Sequence, residues 1–149
     1  MQIFDTRNPY AVFFILGTVI VLLFSFWGIK YQSVNSQAHD KLAHNLTTWL
    51  QGEPEKYSYV VRQGCMFVAS SKVLVVNGVA LFEKVDEYDS ELVISDVFKA
   101  ANKGLFEAAR IKITYHPKYA FPQVIEVDWR KDVIDDECFY EVSEFKVIE

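Results

Sequence analysis

Two cysteines, three histidines and a run of carboxylates are the residues of this 149-residue chain that most readily carry chemistry. Cys65 and Cys138 suffice for one disulfide bridge or for two separate reduced thiols. They are too few for a disulfide-dense miniature scaffold or for a four-thiolate zinc centre. No CxxC pairs them and no histidine neighbours either in sequence, so a catalytic thiol would lack its usual base. Asp128, Asp132, Asp135, Asp136 and Glu137 offer oxygens of the kind calcium gathers, about six to eight at a time. Their spacing fits no EF-hand loop and the turn lacks glycine, so a solvated acidic loop is the plainer reading. His39 and His44 stand five positions apart, about 140° around a helix axis, and do not share one ion. His116 precedes Pro117, which holds it extended, and no serine or thiol partner for it is named by spacing. GxSxG, HExxH and a phosphate loop are missing from the sequence. The expectation is no catalytic residue, no bound metal and no cofactor.

The elements that position these residues begin with an apolar run. Between Arg7 and Lys30 the chain has no charge, and the stretch bounded by Pro9 and Ile29 is twenty-one residues long. At helical rise that is about 30 Å, the thickness of a bilayer's hydrocarbon core. It predicts a single transmembrane helix rather than a cleaved signal, whose apolar core is shorter and ends at a small-residue site. Tyr10, Trp27 and Tyr31 fall where interfacial aromatics would. With no ionisable residue inside the run, an ion path is not expected. The expected division is an anchor over residues 1–31 and a domain over 32–149, with the lipid bilayer as one partner. A net charge of -5 provides no footing for a phosphate backbone, which removes nucleic acid as a partner.

Beyond the run, Leu42, Leu46, Trp49 and Leu50 form the stripe of an amphipathic helix stopped by Gly52 and Pro54. Tyr57 to Val61 opens a strand running towards Cys65. Lys72 to Val76, then Asn77-Gly78, then Val79 to Phe82 predicts a hairpin with a type I′ turn. Ser95 is placed to cap a helix carrying Val97, Phe98, Ala101 and Leu105 on its buried face, with Gly104 weakening or ending it. Alternation then marks strands at Ile111, Ile113 and Tyr115, at Ile125, Val127 and Trp129, and at Tyr140, Val142 and Phe145. The fold class is α+β. After the N-terminal transmembrane helix, about six antiparallel strands in the order α-βββ-α-βββ are covered by two helices.

If the first and last strands are neighbours, the end of one brings Cys65 beside Cys138 at the start of the other. Reduced thiols in a separate arrangement remain the alternative. Tyr115, His116, Tyr119, Phe121 and Trp129 make an aromatic bend stiffened by Pro117 and Pro122, a candidate partner surface. Their alternation equally suits rings that fill the core.

Several stretches, taken together, resemble a known family. They are Tyr57-Ser58-Tyr59 ending at Cys65; the run from Ile113 through Tyr115-His116-Pro117-Lys118-Tyr119-Ala120-Phe121-Pro122; Ile125-Glu126-Val127-Asp128; and Asp135-Asp136-Glu137 before Tyr140 to Phe145. The resemblance, over roughly residues 40 to 146, is to bacterial secreted or membrane-tethered proteins described as domain of unknown function 6174. It implies an extracytoplasmic address, hence an oxidising compartment that favours the Cys65–Cys138 bridge. It implies no activity. Where the family commonly has Cys-x-Cys this chain has Cys65-Met66-Phe67, and His116 and Ala120 stand where Asp and Gly are usual.

The expected function is a non-catalytic binding or scaffolding module, anchored in the cell inner membrane with its domain in the periplasm, holding another envelope protein. One alternative is an accessory single-pass subunit of a larger inner-membrane complex. Another is an envelope enzyme, with His116 and the carboxylates from Asp132 to Glu137 as its acid-base groups.

Overall fold

The element order is α1 (Pro9–Gly52), β1 (Lys56–Gly64), β2 (Val68–Val76), β3 (Val79–Lys84), α2 (Ile94–Glu107), β4 (Arg110–Tyr115), β5 (Pro122–Asp128) and β6 (Glu137–Val147), with alternating burial clearest in β1 and β4 and an amphipathic stripe clearest in α2. The structure is a computed structural model; it describes residues 9–85, 88–133 and 136–148, with backbone alone at 9, 11 and 27–35. The chain divides into two units, Met1–Ala38 and His39–Glu149.

The first unit corrects the membrane expectation. Among the described residues no helix is long and apolar enough to cross a membrane. Residues 12–26 of the apolar run are exposed. The side chains of Trp27, Ile29 and Tyr31, on which the longer span and its aromatic belt depended, lie outside the described residues, as does that of Pro9.

In the second unit the six strands form one antiparallel sheet in the order β3-β2-β1-β6-β5-β4. Asn77 and Gly78 adopt φ of 50° and 77°, the two positive angles that the expected hairpin turn requires. One sheet face carries Tyr57, Tyr59, Val61, Val73, Val75, Ile125, Val127 and Val142, all buried. The helices cover this face. Leu42 and Trp49 of α1 are buried in the core and Leu46 packs beside them. Leu50, expected in the same stripe, is exposed, because it lies about 100° around the axis from Trp49.

On α2 the buried residues are Ile94, Val97, Phe98, Ala101 and Gly104. Its N-cap is Val93, not Ser95, and the Asp96 carboxylate accepts the Val93 backbone N–H at 3.3 Å. That bond satisfies a donor the helix start would otherwise leave free, with the carboxylate near the positive end of the helix dipole. Gly104 does not end the helix. A Cβ there would stand 2.5 Å from Ile111 Cδ1, so the glycine lets α2 lie close on β4, and the helix continues to Glu107.

Candidate functional site

The register fixes two ends of the sheet. At one end meet the start of β1, the close of β6 and the bend between β4 and β5; at the other meet the close of β1, the start of β6 and the close of β5.

The first end is a cluster of rings. Trp49 is surrounded by Tyr57, Tyr119, Phe121 and Phe145, with centroids 5.3–6.5 Å away and planes near perpendicular, the edge-to-face geometry aromatic quadrupoles favour. The Tyr57 hydroxyl donates to Glu53 Oε1 at 2.6 Å. Burial, then that hydrogen bond and the Glu53 charge, push the Tyr57 phenol well above its usual range. The bend closes through His116 N–H to Phe121 O at 2.8 Å and Ala120 N–H to His116 O at 2.9 Å. Ala120 sits at φ 60°, a left-handed conformation that glycine adopts more readily.

His116 acts here as a turn-former. Its Nδ1 accepts the backbone N–H groups of Lys118 and Tyr119, each at 3.2 Å, so the neutral ring carries its proton on Nε2. Burial, then the Lys118 charge, lowers its pKa below the ordinary histidine value. The ring stacks on Phe121 with centroids 4.8 Å apart.

The five aromatic-bend residues therefore do not form one contact surface. Phe121 is 0% exposed and belongs to the core. Tyr115, His116 and Tyr119 are half-buried; the Lys41 ammonium lies over the Tyr115 ring, and burial raises the Tyr115 phenol pKa. Trp129 is at the opposite end of β5, with Lys103 over its ring. Alternation alone does not reveal this, since the rings' fate depends on which helix side chain, here Trp49, drops among them.

The second end is closed covalently. β1 and β6 are antiparallel neighbours, Gly64 opposite Phe139, and Cys65 and Cys138 form a disulfide across a separation of 73 residues. A loop of that length contributes about 4 kcal/mol on the chain-entropy model. The two sulfurs differ in environment. Cys65 is exposed, whereas Cys138 is 8% exposed and accepts the Trp129 indole N–H at 3.2 Å. A cleft of about 770 Å³ beside the bridge is lined by Cys65 and Met66 together with Asp128, Arg130, Lys131 and Glu137.

The acidic group lies along this cleft without converging. Arg130 pairs with Asp132 at 3.1 Å, and Asp128 stands opposite Arg110 on β4 and Glu137 on β6. The Asp136 carboxylate oxygens are buried with no hydrogen-bond partner among the described residues, and Asp135 lies outside them. Among the described residues no group of three or more His, Cys, Asp or Glu is placed to hold a metal ion. His39 packs its ring on Phe106 at 4.3 Å, with a buried Nε2 that has no hydrogen-bond partner among the described residues, while His44 is exposed.

What sequence reading missed is the exposed apolar surface. Met66 and Phe67, next to the bridge, are 84% and 69% exposed, with Tyr88 against Phe67. On the edge strand β3, Val79, Leu81 and Phe82 are exposed as well. The only signal for the first pair is two large apolar residues placed between a cysteine and a strand.

Fold and site define an α+β domain whose single antiparallel sheet is packed under two helices and stapled by one disulfide between its two central strands. The chain belongs to the family of unknown function DUF6174, whose model matches residues 41–147. Neither a curated protein nor a solved structure matches it.

Proposed function

We propose that residues 39–149 form a non-catalytic binding module that works in an oxidising compartment outside the cytoplasm and holds an extended segment of a partner protein along β3. The observation that carries this reading is the contrast between the two sheet edges. The β4 edge bears Arg110 and Lys112 and ends in a register shift at Thr114/Tyr115, devices that discourage further pairing. The β3 edge opens with the uncharged run Val79-Ala80-Leu81-Phe82 before Glu83 and Lys84 close the strand, and Val79, Leu81 and Phe82 are exposed. Such an edge accepts an added strand, with main-chain hydrogen bonds supplying affinity and side-chain contacts supplying choice. The disulfide supports the compartment, because bridges of this kind persist where thiols are oxidised.

A photo-crosslinking residue at position 81, with position 112 as the control, tests the reading in cells. A discrete crosslinked partner at 81 that is absent at 112, and that disappears with Ala80→Pro, is the expected result. Equal labelling at both edges, or none at either, argues against it.

A further inference from the structure

We propose that the Cys65–Cys138 bridge is a thiol-exchange site of fixed direction, in which an external thiolate attacks the Cys65 sulfur and Cys138 departs as the thiolate. The proposal rests on the environments of the two sulfurs and not on the strand-addition reading above.

Three observations set the direction. Access comes first, since exchange proceeds at the sulfur an attacking thiolate reaches. Cys65 is exposed and lies on the walls of two clefts, one shared with Arg130 and Lys131 and one with Gln63 and Tyr140. Cys138 also borders a cleft, with Arg110, Lys112 and Phe139, but at 8% exposure it presents far less surface to an attacking thiolate than Cys65 does. The leaving sulfur is second. The Trp129 indole N–H, 3.2 Å from Cys138 Sγ, gains strength as negative charge develops there, and a stabilised thiolate leaves faster. Third, the Asp136 carbonyl lies 3.7 Å from the same sulfur, placed to accept the S–H once the thiolate is protonated. Asp136 and Glu137 on the cleft wall oppose the developing charge, and Arg130 and Lys131 on the same wall counter it.

The balance is simple. A thiolate RS⁻ forms a new S–S bond to Cys65, the Cys65–Cys138 bond breaks, and its electron pair goes to the Cys138 sulfur, which takes a proton from water. With a monothiol the product is a mixed disulfide at Cys65. With a dithiol, the second thiol displaces Cys65 and leaves both cysteines reduced and the reagent oxidised by two electrons. The reagent class is thus a thiol, and a dithiol for complete reduction. Met66 and Phe67 beside the attacked sulfur give a dithiol protein an apolar seat.

The test uses the oxidised full chain in native buffer with glutathione, trapped within seconds by N-ethylmaleimide and mapped by peptide mass. The expected product carries glutathione on Cys65 and maleimide on Cys138, in at least tenfold excess over the reverse. Equal distribution, a majority on Cys138, or adducts that appear only after denaturant is added would overturn the proposal. Trp129→Phe gives a second reading, the rate of reduction by dithiothreitol. The direction argued here requires that rate to fall several-fold. A side chain that served only in packing would, on removal, loosen the site and speed reduction, so an unchanged or faster rate counts against the indole's role.

Discussion

The two ends of the sheet are closed by different means. At one end a tryptophan from α1 drops among the rings of Tyr57, Tyr119, Phe121 and Phe145, and the seal is packing. At the other end no helix residue among the described ones plays that part; a covalent bridge holds β1 to β6, and large apolar side chains, Met66 and Phe67, stay in solvent. A packed end has its aromatic surface consumed by the fold, whereas a cross-linked end keeps order while leaving side chains free to touch something else. That difference moves the surface available for contact from the aromatic bend to the bridge and the β3 edge.

The largest effect is expected at the packed end. Trp49→Ala removes the ring that four others share, and denaturant unfolding should show a loss of about 5 kcal/mol, the upper part of the range for tryptophan truncation. A loss near 1 kcal/mol would break the comparison by showing that the ring cluster collapses without its centre. Next in size is the bridge. The double variant Cys65→Ser, Cys138→Ser should lose about 4 kcal/mol in the same measurement, with far-ultraviolet circular dichroism of the folded state unchanged. Unfolded protein at rest would mean that the open end has no other support.

A smaller change of opposite sign is expected in the bend. Ala120 holds a left-handed conformation, so Ala120→Gly should raise stability by about 0.5–1 kcal/mol, the relief of the Cβ outweighing glycine's added freedom in the unfolded chain. Destabilisation would show that the Ala120 methyl group itself contributes packing.

The smallest effect is the pH dependence of His116. Its folded pKa lies below the unfolded value of about 6.5, because burial and Lys118 disfavour the cation and Nδ1 is occupied by two N–H donors. The unfolded chain therefore binds the proton first as pH falls. Stability contributed by the neutral ring is complete above about pH 6.5 and is lost below it, down to the lowered folded value. The difference in melting temperature between wild type and His116→Asn, measured from pH 8 to pH 5, should shrink on the acid side. A difference that grows there would mean the folded state prefers the cation.

Much of this architecture was legible in residue order. Alternation at Ile111, Ile113, Ile125 and Val127 marks strands because period two leaves few other solutions, and Asn77-Gly78 names its own turn. Adjacency of β1 and β6 puts Cys65 near Cys138, an arrangement that strand-end bookkeeping anticipates. What resisted reading depends on contacts between distant segments. Phe121 and Trp129 alternate alike, yet one lies under Trp49 and the other beside the bridge. Val93 caps α2 although Ser95 has the better side chain, because Asp96 reaches back to the Val93 amide. The exposure of Met66 and Phe67 has no periodic signature, since it arises from what fails to cover them. The apolar run near the N-terminus, read from uncharged length alone, gave a span that the described part of the helix does not support.

The bridge carries the clamp, the compartment and the exchange chemistry together, so its state in the source cell is the decisive observable. Thiols alkylated at the moment of lysis and mapped by mass, before and after reduction, measure it directly. The account predicts no label on Cys65 or Cys138 before reduction and label on both afterwards, with one linked peptide pair in the unreduced digest. Full labelling of both cysteines before any reductant is added would contradict it.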